Sequence, residues 1–316
     1  SRSDLDAHYA HAHEQLELGP ATDTPGTWRR LGVTEPDFMG DTFTSSFWYF
    51  DQVKERFSAS RCDDLLSAPN IQILTHANVT HLQADANARG LLHVEIHSLE
   101  GKVARVSART FVLAAGAIEY ARLMLASRDV ESNGIGTGRD QVGRYFMEHP
   151  HGRLGRVASE KALDIWMAYR TRFPAGSVPL APVLRPSRSL QEREGILNTA
   201  LTFKLQRNPA EGVAMHRRVY QTLKHQLSPT RSNRAMWHSY NRLKRLAQRY
   251  REPHMRFEYQ RGTRSVYAML RAEQAPNPDS RVLLSESRDA LGIPRADLNW
   301  QTNAQDKRTL VRLAEA

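Results

Sequence analysis

Phe111-Val112-Leu113-Ala114-Ala115-Gly116-Ala117-Ile118-Glu119, running on through Ala121-Arg122-Leu123-Met124-Leu125-Ala126-Ser127, is the stretch on which the fold turns. Its first five residues are apolar without alternation, the pattern of a strand buried on both faces as in a parallel sheet. Gly116 ends the run, and 117–127 has the composition and spacing of a helix packed against that strand. Upstream, Ile71-Gln72-Ile73-Leu74 reads as another strand. Between the two, Leu92, Val94 and Ile96 alternate with His93, Glu95 and His97, and a turn at Glu100-Gly101 leads to Val103–Val106, an antiparallel excursion. The order is strand, antiparallel excursion, buried strand, glycine, helix. It predicts the back half of an α/β nucleotide-binding domain.

Further out the pattern changes. Residues 5–16 read as a helix, followed by a loop region rich in Gly, Pro and Thr and an aromatic cluster of Phe43, Phe47, Trp48, Tyr49 and Phe50. Beyond residue 150, Leu197, Thr199, Leu201, Phe203 and Leu205 alternate with polar partners, as do Val266, Ala268 and Leu270. Val282 with Leu284, and Leu298 with Trp300, continue the alternation. These predict antiparallel strands buried on one face. A loop punctuated by Pro174, Pro179, Pro182 and Pro186 interrupts them.

Composition narrows the classes. The chain has 316 residues, enough for one large domain or two ordinary ones, and is 40% hydrophobic and 25% charged. No run approaches the roughly 18 apolar residues of a membrane-spanning helix. Cys62 is the only cysteine, which excludes an internal disulfide and a multi-cysteine metal site. The net charge is +10, and ten Lys or Arg with no Asp or Glu fall between Gly212 and Arg251, so the rest of the chain is balanced. Within that segment Met236, Tyr240, Leu243, Ala247 and Tyr250 recur at helical spacing, with Arg234, Arg242, Lys244, Arg245, Arg249 and Arg251 off the stripe. That is a basic amphipathic helix: a solvated helix covering a sheet, or a surface for an acidic partner, an anionic lipid or nucleic acid.

Three stretches, in order, resemble the glucose–methanol–choline (GMC) oxidoreductase family. They are Asn70–Val79; Phe111–Ser127 continuing through Asn133-Gly134-Ile135-Gly136 and Asp140–Pro150; and Glu273–Val282 with Arg288-Asp289-Ala290-Leu291-Gly292. Ile118-Glu119 with Ala121-Arg122 is similar to the sugar and sugar-acid dehydrogenase branch, whereas the alcohol-oxidase branch more often has Thr-Pro or Ser-Pro at Tyr120-Ala121. The resemblance implies an α/β (α+β overall) chain: a partial FAD-binding Rossmann-like domain in 1–150, a substrate domain on an antiparallel sheet with helices in 151–304, and a return toward the FAD domain in 305–316. It implies FAD as cofactor. Val79, at the end of a strand, would offer backbone groups to the adenine, and Ala115 and Gly116 would let the backbone approach the flavin nucleotide closely. The activity implied is oxidation of a CH–OH group of a sugar, polyol or related alcohol by hydride transfer to flavin, with a quinone or cytochrome as acceptor more than oxygen. The alternative is a basic, non-enzymatic module binding nucleic acid or an acidic partner through residues 212–251.

The family's opening G-x-G-x-x-G has no counterpart before residue 70. Gly134-Ile135-Gly136-Thr137-Gly138 has Arg139 in place of the third glycine and follows a helix, so it reads as a loop. The family's catalytic histidine is expected downstream of Ala316, so no catalytic residue is assigned, and the true N-terminus is expected upstream of Ser1. Localisation, whether cytoplasmic or periplasmic, therefore stays open. His8, His11 and His13 read as a solvated helix face and not as a metal site. Among Glu148, His149 and His151, His149 reads as ending a helix by holding its carbonyls, and Cys62 as an inert, buried or half-buried thiol.

Overall fold

The alternation of residues 197–205 and 266–270 is realised as two neighbouring strands of one sheet. In the computed structural model the chain passes through α1 (Ser3–Gln15), α2 (Thr24–Arg30), β1 (Phe43–Tyr49), α3 (Asp63–Ser67), β2 (Asn78–Ala84), β3 (Leu91–His97), β4 (Val103–Val106) and α4 (Ala117–Ala126). Next come β5 (His151–Arg156), α5 (Ala162–Tyr169), β6 (Leu180–Pro186), α6 (Arg188–Glu194) and β7 (Thr199–Arg207). The last elements are β8 (Thr263–Ala272), β9 (Arg281–Arg288), β10 (Pro294–Asn299) and α7 (Ala304–Glu315). The structure describes residues 3–19, 24–38, 41–51, 56–158, 160–174, 177–207 and 263–316, with scattered positions between 232 and 246. The chain mixes helices with antiparallel sheets, an α/β composition.

Two compact units are interleaved in sequence. One holds residues 1–54, 150–272 and 310–316; the other holds 55–149 and 273–309. The units thus differ in extent from the stretches 1–150, 151–304 and 305–316 read along the sequence.

In the first unit five strands lie in the order β1-β6-β7-β8-β5, all antiparallel. Leu201, Phe203, Val266 and Leu270 point to one face, where they pack with Trp166 and Tyr169 of α5, Trp28 of α2 and Leu313 of α7. Period-two side-chain alternation puts this set on a single face. The aromatic cluster of the sequence is β1, with Phe47 edge-on to Trp28 at 5.0 Å between centroids. The prolines at 182 and 186 suggested a loop, yet both lie in β6. Each removes a ladder donor, and β6 keeps a single register pair with β7, Leu184 with Leu201.

Tyr169 sits at the centre of this core, 3% exposed, edge-on to Trp28, Phe38 and Phe203. Its hydroxyl is 2.6 Å from Ser45 Oγ. Burial pushes its pKa up to about 12, the Ser45 hydrogen bond only partly opposing this. Stability owed to the neutral phenol is therefore complete below the ordinary value of 10 and falls as pH rises toward 12. Tyr169→Phe should cost about 1 kcal/mol by stranding the Ser45 hydroxyl and should flatten that alkaline loss, as read by urea melts at several pH values. Unchanged stability at every pH would show the Ser45 contact to be idle.

In the second unit, β2-β3-β4 form a three-stranded antiparallel sheet and β9-β10 a hairpin. The Leu92/Val94/Ile96 alternation is β3, as read. Leu82, Val94 and Leu123 are its small core, with Phe111, Met124 and Ile135 packed around them. Two expectations are corrected here. Residues 71–74 and 111–114 form no strand and belong to no sheet, and no parallel pairing occurs among the described residues. Val112 is 83% exposed and Leu74 55%. An apolar run without alternation fits a strand buried on both faces only where neighbouring strands cover it, and among the described residues neither segment has a ladder partner or full burial.

Candidate functional site

Helix α4 organises the second unit. Its sequence is rich in strong helix formers (Ala, Leu, Met, Glu, Arg). It stops at Ser127, whose Oγ donates to Leu123 O (2.8 Å) and accepts from Leu82 N (3.0 Å), fastening the helix end to β2. At its other end Gly116 has φ 84° and ψ 158°, a region open essentially to glycine alone. No side chain caps this N-terminus, so the first N–H groups remain available to a ligand or water. A Cβ built on Gly116 would meet nothing within 4 Å. The requirement at this position is backbone geometry, with open space in front of it.

Of the three residues singled out for the cofactor, Ala115 and Gly116 form this exposed entry to α4. Val79 lies in the same unit, in β2, on which α4 packs. Its position differs from expectation: it is near the start of an antiparallel strand, paired with Ile96, and does not close a strand at 71–79. Since β2 is the edge of its sheet, the other side of its backbone has no ladder partner among the described residues.

The second and third motif stretches are tied together by side chains that sequence reading had passed over. Arg122 donates to Pro294 O (2.6 Å) and Ile293 O (3.3 Å), pairs with Glu119 at 3.0 Å and contacts Asp289. Asp289 in turn accepts from the N–H of Leu291 (2.9 Å) and Ile293 (3.0 Å) in the β9–β10 turn. Partial burial opposes the charge on Asp289, but the Arg122 guanidinium and these two N–H groups outweigh it and hold the carboxyl below its ordinary value. Asp140 bridges Arg144 and Arg281, and both hydrogen bonds lower its pKa. Arg144 also donates to Pro278 O at 2.8 Å. Gly143 O accepts from Val282 N (2.7 Å), and Phe146 and Ser280 exchange two further bonds. Gly134 and Gly143, at φ 103° and 80°, have backbone atoms of Leu125 and Val282 where a Cβ would stand. Arg122 and Asp289 stood inside the quoted motifs; what the sequence lacked was any sign that they meet.

Other residues are placed without converging. His8 and His11 are exposed on α1, His11 lying 3.8 Å from Glu14, while His13 rests edge-on to Tyr49 at 5.3 Å. Among the described residues no group of three His, Cys, Asp or Glu side chains is placed to hold a metal. Residues 144–150 form no helix, so His149 ends none; its N–H approaches Glu148 Oε2 at 3.2 Å, and Glu148 and His151 are likewise exposed. Cys62 is half-buried. The basic segment 212–251 lies outside the described residues except for scattered helical positions, of which Met236 and Leu243 are exposed. An open cavity of about 570 Å³ in the first unit, lined by Val33–Phe38 and α5, contains none of the residues singled out from the sequence. Among the described residues no helix is long and apolar enough to cross a membrane.

No family model matches the chain. Among curated proteins it is similar to the fructose dehydrogenase large subunit of Gluconobacter japonicus, 26% identical over 182 residues, which are 52% of this chain and 32% of that protein. The matched region thus spans about a third of the relative's length.

Proposed function

We propose that this chain is part of an FAD-dependent oxidoreductase of the GMC type that oxidises a CH–OH group of a sugar, polyol or related alcohol. The observation that carries the reading is the meeting of the GMC-like stretches in one unit around α4. That helix opens on a glycine-only backbone with an uncapped N-terminus. The distant similarity to a dehydrogenase subunit supports it independently.

The residues present fit such a cofactor. Bound flavin would supply the hydride acceptor. The chain's part is to present backbone donors at Gly116 and the first turn of α4 to a polar or anionic edge. Gly116 keeps the space in front of that turn free, and the open edge of β2 at Val79 offers further main-chain groups. The substrate-derived proton needs a base, and no described residue is assigned to that role.

Gly116→Ala in the full-length flavoprotein tests this. The added Cβ would meet no described atom within 4 Å, so the cost to folding is the backbone strain, on the order of 1–3 kcal/mol. Flavin content of the purified protein should fall several-fold, well beyond what the shift in melting predicts. Full flavin occupancy in the variant would remove Gly116 from the cofactor's surroundings.

A further inference from the structure

The open cavity of the first unit, about 570 Å³ between the Val33–Phe38 loop and α5, has the size of a small-molecule pocket. Its floor is apolar. Val33, Ile165 and Met167 line it half-buried, and Ala168, 6% exposed, closes it against the core. Phe38, another lining residue, stands edge-on to Tyr169 with 5.7 Å between ring centroids. The cavity thus backs onto the aromatic core of the unit.

Its polar lining is predominantly acidic. Glu35, Asp37 and Asp164 supply carboxylates against the cations Lys161 and Arg172. Arg172 is engaged at the end of α5, where its Nη2 donates to Met167 O at 2.6 Å. A cation there complements the free carbonyls of the last helical turn. Lys161 and Asp164 lie at the opposite end of α5, at its N-cap and in its first turn. Glu35 and Asp37 remain, on the loop, with no hydrogen bond or ion pair among the described residues. The charge of Glu35 nevertheless reaches the cavity wall: burial is the main cause of the raised Tyr169 pKa, and the Glu35 carboxylate adds to it. Two carboxylates beside an apolar floor favour a cation that carries its own apolar body, because such a ligand covers the floor and satisfies the charge together.

We infer that this cavity binds a protonated amine with a compact apolar body, its ammonium held by Glu35 and Asp37 and its body lying against Phe38, Ile165 and Met167. An ammonium donates charge-assisted hydrogen bonds to both carboxylates, and the Phe38 ring adds a surface suited to a cation. None of these residues belongs to the unit that holds Gly116 and Val79, so the inference stands apart from the oxidoreductase reading.

The test uses the full-length protein and three probes of one skeleton: 3-phenylpropylammonium, 3-phenylpropanamide and 3-phenylpropanoate. Calorimetry reads their affinities. The ammonium should bind at least roughly tenfold tighter than the amide, as one charge-assisted contact requires, and the carboxylate should bind weakest. In the double variant Glu35→Gln/Asp37→Asn the ammonium and the amide should come to parity. Both positions are exposed, so that variant keeps its fold and decides the role of the carboxylates. Ile165→Trp fills the cavity from its wall and should weaken ammonium and amide alike. Equal affinities for the three probes, tightest binding of the carboxylate, or no binding of the ammonium overturns the inference. So does an ammonium preference that survives in the double variant, or undiminished binding to a folded Ile165→Trp protein. Flavin content and hydroxyl oxidation are read separately, and neither is expected to change in the double variant.

Discussion

Gly143→Ala should destabilise the second unit by about 3–5 kcal/mol, among the largest effects a single methyl group can have. At φ 80° an alanine already costs about 1–2 kcal/mol. Its Cβ would also collide with the carbonyl oxygen of Val282, with the Val282 carbonyl carbon at 3.4 Å and Leu125 Cδ1 at 3.5 Å. That carbonyl cannot easily retreat, because Val282 is 2% exposed, pairs with Leu298 in the β9–β10 hairpin and donates its N–H back to Gly143. Relief therefore means breaking the 143–146 to 280–282 connection. Gly138→Ala is the control: its φ is ordinary and its nearest neighbour is a Glu131 carboxylate oxygen at 4.0 Å, so a change within about 0.5 kcal/mol is expected. The comparison is made by urea denaturation of the two variants. Equal midpoints for Gly143→Ala and Gly138→Ala would show that the close approach at Val282 does not constrain the fold.

Breaking the Arg122–Asp289 pair should cost about 2–3 kcal/mol from either side, with strong non-additivity. The Arg122 side chain is 13% exposed and that of Asp289 27%, so neither charge is easily rehydrated once its partner is gone. Arg122→Leu also strands the carbonyls of Pro294 and Ile293, whereas Asp289→Ala strands the N–H groups of Leu291 and Ile293 that shape the turn. The double variant should therefore lose clearly less than the sum of the two. The pair also sets a pH dependence. Asp289 is held below its ordinary 3.8, so its contribution is complete above that value and is lost as pH falls through the lower, folded pKa. Asp140, lowered by Arg144 and Arg281, acts in the same window. Wild type should lose stability more steeply below about pH 4 than Asp289→Ala. Additive single-variant costs with parallel acid profiles would reduce the pair to a surface contact.

Elements whose evidence is local were legible in the sequence. α4, β3, β7 and β8 follow from period and propensity, because an alternating or helical stripe needs only one buried face to declare itself, whereas α1 buries none of its residues and was legible from composition. The loop at 134–138 was legible for a similar reason: its glycines are spaced wrongly for a phosphate cradle and follow a helix. α2 was hidden by Pro25 and Gly26, which read as loop, although Thr27 and Trp28 are buried in the core. β6 was hidden by its prolines, since propensity counts the lost donors and is blind to a strand whose second ladder is reduced to one pair.

The sequence by itself determined the class of the chain, the order of its motifs and the break at Gly116 between an apolar run and a helix, because these depend on residue type and short-range spacing. Only the tertiary structure decided that residues 273–309 join 55–149. The same holds for Gly134 and Gly143, which are dictated by backbones from elsewhere in the chain, and for Arg122 and Asp289, which meet across 167 residues. Such facts are relations between distant segments. Charge balance or glycine spacing along a chain cannot encode them, because strand register and close backbone approach exist only once the sheets and hairpins have formed.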